Sequence, residues 1–163
     1  MRARALFASS VLAAAAITLP SAATAQMNPR GEARVTLAGK TIVVDYGRPS
    51  LKGRDMLGKA AVGDEWRMGA DDATTLKTES ALRFGSTAVA AGEYVLRAKK
   101  VSETDWVLKL SKDGATVAEA PLTASPLEKS VELFTIELVE EKGQGVLRLS
   151  WGNRALSVRF TAK

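Results

Sequence analysis

The chain has 163 residues, a formal net charge of +5, and neither cysteine nor histidine. Without cysteine it cannot form a disulfide framework, a thiolate nucleophile or an iron–sulfur site, and without histidine it lacks the usual catalytic triad and the ordinary zinc site. Its lysines and arginines are scattered along the chain rather than clustered in a stripe, so we predict no nucleic-acid partner.

Residues 1–25 have the three parts of a secretory signal peptide. Two arginines precede an apolar run over residues 5–19, and a polar stretch of small residues ends at Ala25. The apolar run is shorter than the roughly 20 residues that span a bilayer. We therefore predict cleavage near Ala25 and a soluble mature protein that does not span the membrane. Export without disulfides favours a bacterial periplasmic or secreted location.

The mature chain begins with a hairpin pattern and then leaves the sheet. Residues 33–37 and 41–46 alternate apolar and polar side chains around a turn, as antiparallel strands do. Pro49 ends the pattern because proline cannot donate to a sheet ladder. The following loop, residues 48–72, is long for a compact domain, and loops of this length are often functional. A short helical turn over residues 54–61 is compatible with its composition.

From Thr74 onward a period of two predicts a series of short strands separated by turns. Pro121 and Pro126 make residues 115–130 better suited to an edge strand and a connection than to a central strand. Further on, residues 146–160 resemble a C-terminal hairpin that turns at residues 152–154.

These elements predict one fold class for the whole mature chain. We expect an all-β protein, an antiparallel β-sandwich or jelly-roll-like barrel of about nine short strands. We expect it to form a single domain over residues 26–163, preceded by the cleaved signal peptide.

Cationic side chains concentrate in loop 48–72. Arg48, Lys52 and Arg54 flank a rigid Pro49 and a flexible Gly53, a spacing that can aim several donors at a carboxylate, phosphate or sulfate group. The alternative is local structure, since arginines at turn corners commonly bond to backbone carbonyls or to a nearby acid.

An aromatic residue and several acids follow in the same loop. An exposed Trp66 beside Arg67 can stack on a sugar or an aromatic ligand, although tryptophan more often closes a core. The acids from Asp64 to Asp72 match no calcium-loop pattern, so we predict no metal site and no cofactor.

The same acids raise the question of catalysis. Asp45, Glu65 or Asp71 can supply the paired carboxylates of a glycoside hydrolase, but nothing in the sequence sets their separation. We therefore predict no catalytic residue. The predicted ligand-binding residues are Arg48, Lys52, Arg54, Trp66, Arg67 and Asp71.

Two segments carry a family resemblance. The runs DYGRPSLKGR, residues 45–54, and WRMGADDAT, residues 66–74, resemble motifs of the bacterial domain of unknown function 2911 family. The similarity continues through AGEYVL, residues 91–96, and reaches Trp151 and Asn153 by way of Trp106 and Lys112. It implies an exported, mostly β domain and no particular activity. The chain departs from the family pattern at Met68, Asp71, Asp72 and Ala90.

The leading hypothesis from the sequence is an exported, non-enzymatic β-sandwich domain of unknown function. It binds a small polar or anionic ligand, or an envelope partner, through loop 48–72. The alternative is a carboxylate-dependent glycan hydrolase of the cell envelope. A third possibility is an internal network without a ligand, in which Arg48 and Arg67 pair with Asp45 and Asp71.

Overall fold

The computed structural model describes residues 27–163. The predicted signal peptide and its cleavage site at Ala25 lie outside the described residues. No helix in the described part of the chain has the length and apolarity needed to cross a bilayer. The strands are β1 (Arg30–Leu37), β2 (Lys40–Gly47), β3 (Glu65–Trp66), β4 (Thr75–Thr78), β5 (Leu82–Phe84), β6 (Thr87–Val89), β7 (Gly92–Lys100), β8 (Trp106–Lys112), β9 (Ala115–Glu141) and β10 (Gln144–Ala162).

The strands pair antiparallel in the order β1-β2-β4-β7-β8-β9-β10-β5-β6, and β3 pairs with β7. The sheet folds over so that β2 faces the later part of β9. Tyr46 on β2 meets Phe134 on β9 edge to face, with ring centroids 5.6 Å apart. The Tyr46 hydroxyl also donates to the Ile136 carbonyl at 3.1 Å. The predicted all-β antiparallel sandwich is confirmed.

The core follows from the alternation seen in the sequence. On β7, Tyr94, Leu96 and Ala98 are buried, and the next inward position holds Lys100. Burying such apolar side chains contributes about 1.5–3 kcal/mol each for the larger ones, and this burial is the main stabilising effect. The inward set predicted near the C terminus is buried throughout: Leu147, Leu149, Trp151, Leu156, Val158 and Phe160.

Two strands are much longer than the sequence indicates, since β9 has 27 residues and β10 has 19. The first part of β9 pairs with β8, and from Thr123 onward β9 pairs with β10. Among the described strands, Pro121 therefore has a ladder partner on β8 alone and Pro126 on β10 alone. A proline is tolerated in a strand where one flank is free of ladder hydrogen bonds. The one-sided pairing of residues 115–122 agrees with the predicted edge strand, whereas the predicted connection was wrong, because residues 123–130 continue β9.

The predicted C-terminal hairpin was also wrong, because β10 continues through residues 152–154. In the register, Gly152 lies opposite Val131 and Arg154 lies opposite Pro126, so β9 carries extra residues there. We call this irregular stretch of the ladder the bulge of β9 and β10, and Gly152 has a positive φ of 61° within it. The glycine and its polar neighbours give the same sequence signal as a turn.

Loop 48–72 returns to the sheet twice. Ser50 forms a bridge with Leu133 on β9, and Glu65–Trp66 forms β3 against β7. Between these points, the Lys59 N–H donates to the Asp55 carbonyl at 3.3 Å, which closes a single turn within residues 54–61. The loop is thus held at both ends by the two layers of the sandwich.

Candidate functional site

Gly47 and Gly69 allow two parts of the backbone to approach closely. A Cβ atom on Gly47 would lie 2.1 Å from the Ala70 carbonyl oxygen, and one on Gly69 would lie 2.9 Å from Thr74 Oγ1. The Thr74 hydroxyl donates to the carbonyl of the fully buried Met68 at 2.8 Å. Glycine is required at these positions because any side chain would push the end of β2 away from residues 68–74.

Arg48 joins β2 to β9 rather than facing a ligand. Its Nε donates to the Phe134 carbonyl at 3.2 Å, and its Nη2 donates to Thr135 Oγ1 at 3.1 Å. Asp45, which the network hypothesis paired with Arg48, forms an ion pair with Arg30 instead. The hydrogen bonds of Arg48 therefore support the alternative in which arginines of this loop stabilise the structure rather than bind a ligand.

Lys52 and Arg54 lie at a tight turn. Lys52 and Gly53 both have positive φ, 50° and 71°, and the Arg54 N–H donates to the Leu51 carbonyl at 3.1 Å. The Arg54 side chain closes over the same turn, with Nε donating to the Leu51 carbonyl at 3.1 Å and Nη2 to the Ser50 carbonyl at 3.3 Å. Two of its five N–H donors are thus used, and the Lys52 side chain is exposed.

Arg67 and Asp71 meet, but through the backbone. Arg67 Nη1 donates to the Asp71 carbonyl at 2.9 Å. The Asp71 carboxylate instead accepts from the Asn28 N–H at 2.7 Å and from its Nδ2 at 3.2 Å. The guanidinium groups of Arg48, Arg54 and Arg67 consequently all bond to carbonyl oxygens.

Trp66 is partly exposed and closes one end of the core. Its ring stacks on Trp151 at a centroid distance of 5.5 Å and an interplanar angle of 17°. It also meets Phe134 edge to face at 4.9 Å. Trp66 therefore has a structural role on its inner side, and its remaining surface contributes to a cleft.

This Trp66 cleft has a volume of about 530 Å³, within the size range of small-molecule sites. One wall comes from residues 54–60, which we call the flap. The other wall comes from β3 and from the start of β8. Its lining includes Arg54, Asp55, Leu57, Lys59, Trp66 and Trp106.

Two acids of the cleft already have backbone partners. Asp55 Oδ1 accepts the Gly58 N–H at 2.8 Å, and Asp64 Oδ2 accepts the Ala61 N–H at 2.8 Å. Both carboxylates stabilise turns, a common use of aspartate in loops. Residues 27–163 contain no group of three or more acidic side chains placed to bind a metal ion.

Glu65, the third acid of the cleft, is bound by cations of the sheet. Lys109 Nζ lies 2.6 Å from Glu65 Oε2, and Arg97 Nε lies 3.6 Å from Oε1. The hydrogen bond from Lys109, together with the charges of Lys109 and Arg97, lowers the pKa of Glu65 despite partial desolvation. Glu65 is therefore held in its charged form.

Of the six predicted ligand-binding residues, Arg54 and Trp66 line the Trp66 cleft, and the other four lie outside its lining. The six predicted ligand-binding residues do not include Lys59 or Leu57, although both line this cleft. Leu57 is buried in a segment without strand periodicity, so the usual signal for burial was missing. The residues outside the lining are Arg48, Lys52, Arg67 and Asp71.

A family model described as protein of unknown function (DUF2911) matches residues 28–160. The chain belongs to this family. No curated protein and no solved structure matches it.

The two segments with DUF2911 motifs, residues 45–54 and 66–74, contact each other at Gly47 and Gly69. Asp71, one of the positions at which the sequence departs from the expected family pattern, has a positive φ of 60°. Aspartate tolerates this left-handed conformation better than most residues.

Proposed function

We propose that this chain is an exported, non-enzymatic binding domain that holds a small anionic ligand in the Trp66 cleft. The pattern of residues 1–25 supports export. One observation carries the binding proposal: a cation without a partner and a partly exposed indole line the same cleft. Lys59 has no ion-pair or side-chain hydrogen-bond partner among the described residues, and Trp66 lies on the opposite wall.

The free hydrogen-bond donors of the cleft can bind an anion. Its carboxylates keep their charge, but each already accepts a hydrogen bond from a backbone N–H or from Lys109, whereas Lys59 and part of the Arg54 guanidinium are available. A molecule with a flat or apolar face and a carboxylate, such as a uronic acid or an aromatic acid, matches one indole and one cation. An envelope component that carries such a group would be recognised in the same way.

Thermal-shift and calorimetric titrations test this proposal with glucuronate and benzoate, each compared with an uncharged partner, glucose or benzyl alcohol. We expect one of the two acids to stabilise the wild-type protein more than its uncharged partner does. Lys59→Gln is expected to weaken binding by about tenfold, because a charge-assisted hydrogen bond is lost. The substitution is at an exposed position and should leave the melting temperature of the free protein unchanged.

Lys112→Gln is the matched control, since Lys112 is exposed at the opposite end of β8 from Trp106. It should bind the acids like the wild type. The proposal is rejected if neither acid binds, or if Lys59→Gln and Lys112→Gln respond alike.

The glycan hydrolase stays the alternative. Glycoside hydrolysis needs a carboxyl group whose pKa is raised so that it can donate a proton. Glu65 has a lowered pKa, which favours binding over hydrolysis. Release of reducing sugar from purified peptidoglycan by the wild type, abolished in Glu65→Gln, would favour the hydrolase.

A further inference from the structure

Lys100 is a buried cation at the end of β7, with its side chain 7% exposed. It follows Tyr94, Leu96 and Ala98 on the inward face, so the strand itself directs the ammonium group toward the interior. Burying a charged group is costly unless it is paired and hydrogen-bonded. The contacts of Lys100 therefore show how far this requirement is met.

The contacts of Lys100 satisfy its ammonium group only in part. Lys100 Nζ donates to the Ala60 carbonyl at 2.8 Å. The nearest carboxylate, Glu103 Oε2, is 3.7 Å away on a side chain that is 88% exposed. An ammonium has three donors, and two of those on Lys100 lack a hydrogen-bond partner among residues 27–163.

These donors lie beside a second cleft, of about 650 Å³, on the other side of the flap. We call it the Lys100 cleft. Arg154 also lines it, and this arginine lies at the bulge of β9 and β10. Arg154 has no ion pair within the described residues. Leu57 and Trp106 separate this cleft from the Trp66 cleft and line both.

Two acids of the β7–β8 turn line the Lys100 cleft as well. Asp105 Oδ2 accepts a hydrogen bond from Ser102 Oγ at 2.6 Å, which holds it in the turn. Glu103 is extended into solvent and has only the long contact with Lys100. Glu103 is thus the movable anion of the cleft, whereas Lys100 and Arg154 are its cations.

We propose that the Lys100 cleft binds a tetrahedral oxyanion, phosphate or a phosphate monoester, between Lys100 and Arg154. Such a group has enough acceptor oxygens to satisfy both an ammonium and a guanidinium. Glu103 weakly occupies the position of the anion and is displaced on binding. This site does not depend on a ligand in the Trp66 cleft.

Isothermal titration calorimetry at constant ionic strength tests the site with inorganic phosphate and with glycerol phosphate, using chloride as the background salt. We expect saturable binding of one phosphate per chain. Arg154→Gln should weaken it by about tenfold. Glu103→Gln should strengthen it by about threefold, because a competing exposed carboxylate is removed.

Glu128→Gln and Arg159→Gln, at exposed positions outside the cleft lining, are the controls and should bind like the wild type. Tighter binding of glycerol phosphate than of phosphate would support a site for a phosphate monoester, and equal binding would support the free ion. Absence of binding to both the wild type and Glu103→Gln, or equal affinity of these two proteins, would overturn the proposal. Binding of glucuronate in the Trp66 cleft is measured separately, so either proposal can fail alone.

Discussion

Gly47 shows that an absent side chain can be as restrictive as a buried one. Its φ is not in the left-handed region, so the need for glycine is purely steric. The Ala70 carbonyl oxygen occupies the space that a Cβ atom would need, at 2.1 Å. Because this oxygen belongs to the backbone of a segment packed against the core, it cannot move aside as a flexible side chain could.

We expect Gly47→Ala to lower the free energy of unfolding by about 3 kcal/mol, in the range of overpacking substitutions. Chemical denaturation measures this change. Gly58→Ala is the control, because its Cβ would meet the exposed Asp55 carboxylate at 2.0 Å, and that side chain can move. Its cost should be about 1 kcal/mol or less. Equal costs for the two variants would contradict the steric explanation.

Glu65 and Lys109 give the protein a specific pH dependence. The pKa of Glu65 is lowered in the folded state, so the unfolded chain binds the proton more readily. The stabilisation is therefore present above the ordinary pKa of 4.5 and is lost as the pH falls through the lowered value. We expect the stability difference between the wild type and Lys109→Met to be largest near neutral pH and to shrink below pH 4.5.

Denaturation curves of both proteins over a pH series measure this difference. Lys112→Met serves as the control, because Lys112 does not contact Glu65 and should give a pH-independent difference. A stability difference between the wild type and Lys109→Met that stays constant down to acidic pH would show that the ion pair of Glu65 and Lys109 does not contribute to stability.

Among the elements, the flap has few attachments to the rest of the protein. Between Asp55 and Lys59 its hydrogen bonds are internal, as far as the described residues show. The Lys100 side chain bonds to one end of the flap at Ala60, and the Lys52–Gly53 turn precedes the other end. Leu57, 5% exposed, is the buried anchor between them.

We expect Leu57→Ala to open the flap locally rather than to unfold the protein. Trypsin cleavage after Lys59 should accelerate by about tenfold, because proteolysis follows the population of the open form. Mass spectrometry identifies the cut. Leu122→Ala, a core substitution on β9, should lower the melting temperature more without selective cleavage in the flap. A larger loss of melting temperature in Leu57→Ala than in Leu122→Ala would refute a local role.

The sequence predicted elements well where turn chemistry and alternation agree. Asp113–Gly114 forms a tight turn between β8 and β9, and both residues have positive φ, 51° and 81°. Gly152 carries the same kind of signal but lies in a bulge, because its strand keeps pairing with β9 on both sides of it. Whether a glycine turns the chain or bends a strand depends on the partner strand, which local sequence does not reveal.

At the scale of the whole molecule, β9 and β10 join the two layers. β9 pairs with β8 in its first part and with β10 afterwards, and the end of β10 pairs with β5. Tyr46 and Arg48 bond β2 to the later part of β9. Because both layers share these strands, neither layer can lose its pairing without exposing the core of the other.

We therefore expect residues 27–163 to unfold in one cooperative transition. Differential scanning calorimetry should give a calorimetric enthalpy equal to the van't Hoff enthalpy. A calorimetric enthalpy clearly above the van't Hoff value would mean that the layers unfold separately. It would also contradict the single domain predicted from the sequence.

The site was harder to predict than the fold. The sequence directed attention to loop 48–72, and Arg54 and Trp66 do line a cleft there. Arg48 looked equally available, yet its guanidinium bonds to Phe134 and Thr135 on β9, 86 and 87 residues away in the chain. Only the folded arrangement shows which cations are already satisfied by distant carbonyl groups.

The stacked rings of Trp66 and Trp151 also provide an intrinsic spectroscopic probe of the Trp66 cleft. Two of its three indoles lie 5.5 Å apart and nearly parallel, a geometry in which their electronic transitions couple. A molecule that touches Trp66 perturbs one member of this chromophore pair, so occupancy of the cleft can be followed spectroscopically without attaching a dye.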